Sequence, residues 1–155
     1  RKINKMTTRK FDPVRDVRDF HQAFEQRVAS YPEFPEQDER ALRVKLLREE
    51  FDEYIAAEEG DDFIEVADAL ADILYIICGT AVSYGIPLED LHNEVHRSNM
   101  DKLVNGKPIK REDGKVIKPD GWEAPNVEMV MHKALETYQK KAEMSLWFTT
   151  KSKGQ

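Results

Sequence analysis

A single cysteine, Cys78, stands in the chain. No intrachain disulfide can staple the fold, and a reducing, cytoplasmic setting is expected. No uninterrupted apolar run approaches the roughly 18 residues of a membrane span, so no membrane partner is expected. Positive charge is in deficit: 24 Lys and Arg stand against 30 Asp and Glu, for a net charge of −6. That balance argues against a general nucleic-acid binder, which presents a basic surface. The basic opening, "RKINKMTTRK", has no apolar segment behind it, so no secretory signal is expected, and no Ser/Arg-rich stretch marks a transit peptide. Glycine and proline are few, seven each, and no internal repeat or long linker divides the chain.

What is present suits one domain over residues 1–155: 40% apolar and 35% charged residues make a soluble, globular chain with a real core. Residues 1–12 read as a basic extension. Val14, Val17, Phe20, Phe24 and Val28 recur at helical spacing and predict a first helix ending near "YPEFPE". Two prolines there precede a second helix over Gln37 to Glu59. After the "EGDD" turn, a third helix runs from Asp62 to Tyr84, with Gly85 as its stop. "IPLEDLHNEVHRSNMDKL" is a fourth. Ile109 and Val116-Ile117 flank Asp113-Gly114, which predicts a small hairpin or flap over residues 105–122. A last amphipathic helix spans residues 127–146. The expected class is all-α: a helical bundle with a facing acidic helix pair and a small β-hairpin after the fourth helix.

The acids of "REEFDEYIAAEEGDDFIEVADALADILY" decide what the chain does. At about 100° per residue, Leu46, Leu47, Tyr54 and Ala57 define one apolar sector of the second helix. Glu50 falls inside that sector, Glu53 lies beside Leu46, and Glu49 sits at the border. The third helix is apolar around almost its whole circumference, which predicts a buried helix. Yet Glu65, Asp68 and Asp72 form one narrow stripe on it. The short turn at Gly60 makes the two helices antiparallel. Glu53 then lies level with Asp68, and Glu50 level with Asp72.

Such a cluster repels itself and resists desolvation, at a cost of roughly several kcal/mol per uncompensated charge. A hard divalent cation relieves it, and all-oxygen ligands suit Mg²⁺, with Mn²⁺ as a substitute. More than one ion fits so many carboxylates. The plainer alternative is an acidic hairpin whose stripes face solvent.

"EEFDE" followed by "EVAD" resembles the Glu-Glu-x-x-Glu, then Glu-x-x-Asp, pattern of the MazG-like all-α nucleoside triphosphate pyrophosphohydrolases. "ADALADILYIICGTAVSYGI" reinforces the match, and "VHRSNMDKLVNGKPIKREDGKVIKPDGW" resembles the segment after the catalytic helices in the phosphoribosyl-ATP-pyrophosphohydrolase-like branch. The resemblance implies a Mg²⁺-dependent enzyme that splits a nucleoside triphosphate into a monophosphate and pyrophosphate. dUTP or a purine dNTP such as dGTP would be the leading substrate, and nucleotide-pool control the role. It assigns the metal to Glu49 or Glu50, Glu53, Glu65 and Asp68. Relatives often place Glu-x-x-Asp directly before "LLY", whereas Ala69 stands three residues before Asp72 here. Asp72 therefore either joins the set or stands outside it. Glu49 or Glu50 could orient the attacking water as a general base. Asn99, Lys102 and Arg97 would contact substrate, although cations at a helix end also suit its dipole. The family also implies a homodimer or homotetramer.

His21 and Trp122 read as packing residues that could also meet a base, and Arg43 and Lys45 as surface residues. Two other readings compete. A di-metal carboxylate bundle wants two Glu-x-x-His motifs, and only Glu89-x-x-His92 is present. A non-enzymatic helical interaction module would release no pyrophosphate from any nucleotide.

Overall fold

The computed structural model describes residues 10–152, with side chains through residue 146. The first nine residues of the basic extension lie outside the described ones. Among the described residues there are five helices: α1 (Pro13–Ala23), α2 (Gln37–Glu59), α3 (Phe63–Tyr84), α4 (Leu88–Met100) and α5 (Val127–Ser152). One antiparallel hairpin, β1 (Leu103–Val104) with β2 (Lys107–Pro108), follows α4. The protein is all-α with a small hairpin. Its chain groups into two compact units: the residues up to Val28 with Pro35–Ser83, and Ala29–Phe34 with the residues from Tyr84 onward.

The first unit holds α1, α2 and nearly all of α3. Asp12 caps α1 by accepting from the Arg15 amide at 3.2 Å, and Pro13 opens the helix. α1 stops at Ala23, five residues before the last residue of the expected pattern, Val28. Glu25 adopts a left-handed φ of 54°, and the Gln26 amide reaches back to the His21 carbonyl at 2.7 Å. This is a Schellman-type ending built on a non-glycine residue, which apolar spacing alone does not reveal. α2 has the expected bounds, and Asp62 caps α3 through the Ile64 and Glu65 amides at 3.1 and 3.2 Å. α1 packs on α3 through Val17 and an edge-to-face pair of Phe20 with Tyr75.

The expectation that α3 is buried all round needs correction. Its C-terminal half is buried at Cys78, Gly79, Ala81, Val82 and Ser83. Toward the N-terminus, however, Ile64 is 73% exposed and Leu70 52%. The facing helix leaves Phe51 similarly open, at 52%. Apolarity around the circumference reflected a helix with more apolar surface than one chain covers. By length and composition α3 is also long and apolar enough to cross a membrane, although its stripe of Glu65, Asp68 and Asp72 interrupts the apolar run.

In the second unit, Gly85 follows α3 at φ 69°, and a Cβ there would sit 2.1 Å from the Tyr31 carbonyl oxygen. Only glycine fits. α4 ends at Met100 instead of continuing to Leu103, which begins β1. The hairpin turns on Asn105 and Gly106, both at positive φ (51° and 73°), the type I′ geometry that matches strand twist. The expected turn at Asp113-Gly114 is also present as a smaller ladder. The Ile117 amide donates to the Ile109 carbonyl at 2.7 Å, and Lys110 bridges Val116. Asn126 caps α5 through the Met129 amide, and its own amide donates to Glu94 on α4 at 2.8 Å. Val130 of α5 is buried.

Candidate functional site

α2 and α3 run antiparallel in the first unit, and their acids meet midway along the pair. Glu50 is half-buried, while Glu49, Glu53, Glu65, Asp68 and Asp72 are exposed. Burial pushes the Glu50 carboxyl above its ordinary range, and the charges of Asp72, Glu53, Glu49 and Asp68 push it further. The charges acting on Glu50 thus come from both helices and all carry one sign. Glu65, one turn nearer the start of α3, is not among them. Lys45, exposed as expected, pairs with the outer acid Glu49 at 3.5 Å. Among the described residues, no three His, Cys, Asp or Glu side chains already form a metal-holding group. The donors are nonetheless the right kind for a hard divalent cation: carboxylate oxygens whose charges repel one another at Glu50.

Toward the opposite end of the same helix pair, the chemistry reverses. Arg43, expected at the surface, is only 6% exposed. Its Nε donates to Glu39 Oε1 at 2.9 Å, and the Ser83 hydroxyl donates to the same oxygen at 2.8 Å. Burial alone would raise the Glu39 carboxyl, but the Ser83 and Arg43 hydrogen bonds, with the Arg43 and His21 charges, hold it below its ordinary range. His21 is 1% exposed, and its Nδ1 lies 2.8 Å from the Arg27 carbonyl, so that nitrogen carries the proton. This is a packing role. The Arg27 Nε donates in turn to the Ser83 carbonyl at 3.0 Å. Gly79 makes room for the cluster: a Cβ there would meet Arg43 Nη1 at 3.0 Å and His21 Nε2 at 3.1 Å. Sequence reasoning missed Arg43. The available signal was its position seven residues before Glu50, on the same inward face.

The residues assigned to substrate lie in the second unit. Arg97 is engaged by Glu94, at 2.9 Å from Nε and 2.7 Å from Nη2, and by Asp101 at 2.6 Å from Nη1. That fork and the Asn126 amide hold the Glu94 carboxyl down to about 2. Lys102 Nζ donates to the Asn99 side-chain oxygen at 2.7 Å. Trp122 is half-buried and packs as expected, with its indole N–H donating to the Ser98 carbonyl at 2.7 Å. Lys118, which sequence reasoning did not single out, lies 4.2 Å from the centre of the Trp122 ring.

No curated protein matches the chain significantly. The family model for phosphoribosyl-ATP pyrophosphohydrolase matches residues 17–99, more than half of the chain. That span takes in most of α1, all of α2 and α3 with their acids, and α4 as far as Asn99. The match supports a pyrophosphohydrolase-type activity on a nucleotide substrate. By this match and the acidic helix pair that it covers, the chain belongs to the phosphoribosyl-ATP pyrophosphohydrolase family.

Proposed function

We propose that the protein is a metal-dependent nucleoside triphosphate pyrophosphohydrolase acting in nucleotide-pool control, with dUTP or a purine dNTP such as dGTP as substrate. The observation that carries this reading is the crowding of the half-buried Glu50 by acids of both helices, which with burial raises its carboxyl. Glu50, Glu53, Asp68 and Asp72 would hold Mg²⁺ or Mn²⁺, with Glu65 available at the edge of the set. A bound divalent ion would neutralise the phosphate oxygens and stabilise charge that develops on them. Glu49 or Glu50 accepts a proton from the attacking water and holds that water in place. Water adds across the α–β phosphoanhydride, the bridging P–O bond breaks, and pyrophosphate leaves with the bonding electrons. Asn99 and Lys102 offer neutral and cationic donors suited to phosphate or sugar oxygens.

The open apolar surface supports a homodimer or homotetramer. Phe51, Ile64 and Leu70 are each more than half exposed, and such patches on a soluble chain mark association surfaces. A Phe51→Asp variant that sediments as a smaller species than the parent would agree with this. An unchanged species would move the interface elsewhere.

The test is pyrophosphate release across ribo- and deoxynucleotides with Mg²⁺ or Mn²⁺. Release from one class and its loss in Glu53→Gln and Asp68→Asn are expected. Full activity in both variants would refute the metal set. Inactivity on every nucleotide would favour an interaction module.

A further inference from the structure

The chain has four histidines, and two of them are committed to partners. His21 is buried, with Nδ1 donating to the Arg27 carbonyl, and His132 lies 3.4 Å from Glu136 on α5. His92 and His96 differ. Both are exposed on α4, and among the described residues neither has a hydrogen bond or an ion pair. Each has the other instead: the two rings lie within 3° of parallel, with centres 6.4 Å apart.

Helix geometry explains the pairing. Four residues advance an α-helix by about 6 Å and little more than one turn, so side chains at i and i+4 stand one above the other. The ring centres repeat that rise, and both imidazoles leave α4 in one direction. At 6.4 Å the pair is near the outer limit of aromatic contact, about 7 Å, and both rings are open to water, so packing accounts for little of it. Two histidines at this spacing on one helix face are the arrangement that holds zinc in helical metal sites. With metal–nitrogen bonds of about 2.0–2.1 Å, the ring centres of such a chelate stand about 5 Å apart. His92 and His96 reach that separation by tilting together by about 1–2 Å, which exposed side chains do by rotating about their own bonds. No backbone has to move.

The pair can hold an ion but brings no general base with it. Where a zinc-protease helix has glutamate directly after the first histidine, this chain has Asn93. Among the described residues, no third His, Cys, Asp or Glu side chain joins the two rings, so water would fill the remaining positions of the ion. Imidazole nitrogen suits borderline ions such as Zn²⁺, whereas carboxylate oxygen suits Mg²⁺. We propose that His92 and His96 form a surface site on α4 for a borderline divalent cation of the Zn²⁺ class. Its nitrogen donors set it apart chemically from the acids of α2 and α3, and it does not rest on the pyrophosphohydrolase reading.

The test needs no nucleotide. The full chain is titrated calorimetrically with Zn²⁺ in excess Mg²⁺, which occupies hard-oxygen sites, and the imidazole nitrogen resonances are followed in parallel. Saturable Zn²⁺ binding is expected, with shifts at two of the four histidines. Loss of either ring removes the chelate, so His92→Gln and His96→Gln should each weaken binding by about tenfold or more. Both side chains are exposed, so neither change threatens the fold. His132→Gln should bind as the parent does, and so should the Glu53→Gln, Asp68→Asn double variant. The proposal is overturned by no Zn²⁺ binding, by binding that His92→Gln and His96→Gln leave unchanged, or by binding that disappears in the double variant. Failure of the pyrophosphohydrolase reading would show separately, as absence of pyrophosphate release with this Zn²⁺ binding intact.

Discussion

Two stretches of the same helix pair treat a glutamate in opposite ways. Glu39 and Glu50 both lie on α2 and both face α3. Glu39 meets a guanidinium and a hydroxyl, and its carboxyl is held below its ordinary range. Glu50 is pushed above it by burial and by the charges of neighbouring carboxylates. Burial penalises the charge of both, so burial does not separate them; the partners do. A fold that can neutralise a half-buried acid at one point and crowds acids together eleven residues away has separated packing from chemistry along one helix.

The sharpest way to break the contrast is to neutralise the bare acids. Glu53→Gln and Asp68→Asn should each reduce pyrophosphate release by about 10²–10³-fold, the scale of a lost transition-state contact. Their thermal midpoints should stay close to that of the parent, because both side chains are exposed. Removing the cation from the compensated region should do the reverse. Arg43→Met leaves Glu39 without its ion pair and should cost about 2–4 kcal/mol in denaturant unfolding. Adding Glu39→Gln to that variant should recover part of the loss, and no recovery would mean that Arg43 acts through packing alone.

Gly79→Ala should cost about 1–2 kcal/mol, since the added methyl presses on both the Arg43 and His21 side chains. The smallest effect sharpens the comparison instead. Glu50→Gln removes a charge that the metal-free fold disfavours, so the variant should unfold slightly above the parent at pH 7. The folded Glu50 carboxyl is raised, so its charge costs stability above that range, and the cost disappears as pH falls to ordinary carboxylate values. The two melting curves should therefore converge in acid. A gap that widens there would reverse the assignment.

Much of this contrast was legible beforehand, and its limits are instructive. The bounds of α2 followed from Pro32 and Pro35 before it and Gly60 after it, and they match the structure. The levels of Glu50 against Asp72 and Glu53 against Asp68 followed from counting out from that turn. Less visible were features that depend on partners. Arg43 looked like a surface cation because its partner, Glu39 one turn back, is itself bound by Ser83 of another helix, a neighbour acquired only on folding. Periodicity showed that α3 is apolar on nearly every side, but not that its first half outruns what one chain covers. The Asn105-Gly106 hairpin was readable, since that dipeptide is a strong type I′ signal. It went unread because α4 was expected to run on to Leu103, which in the structure begins β1.

The missing side chain at Gly79 has a mechanical consequence beyond its own contacts. Helices that meet through apolar faces can slide by a turn, about 5.4 Å, and still bury comparable surface. Such a slide would press Arg43 on a side chain, because a Cβ at residue 79 would already meet its guanidinium at 3.0 Å and Gly79 is the one glycine of α3. Gly79 is therefore a notch and Arg43 the pin that drops into it. Together they index the two helices against each other, and the carboxylates about 10 Å further along inherit their alignment from that index.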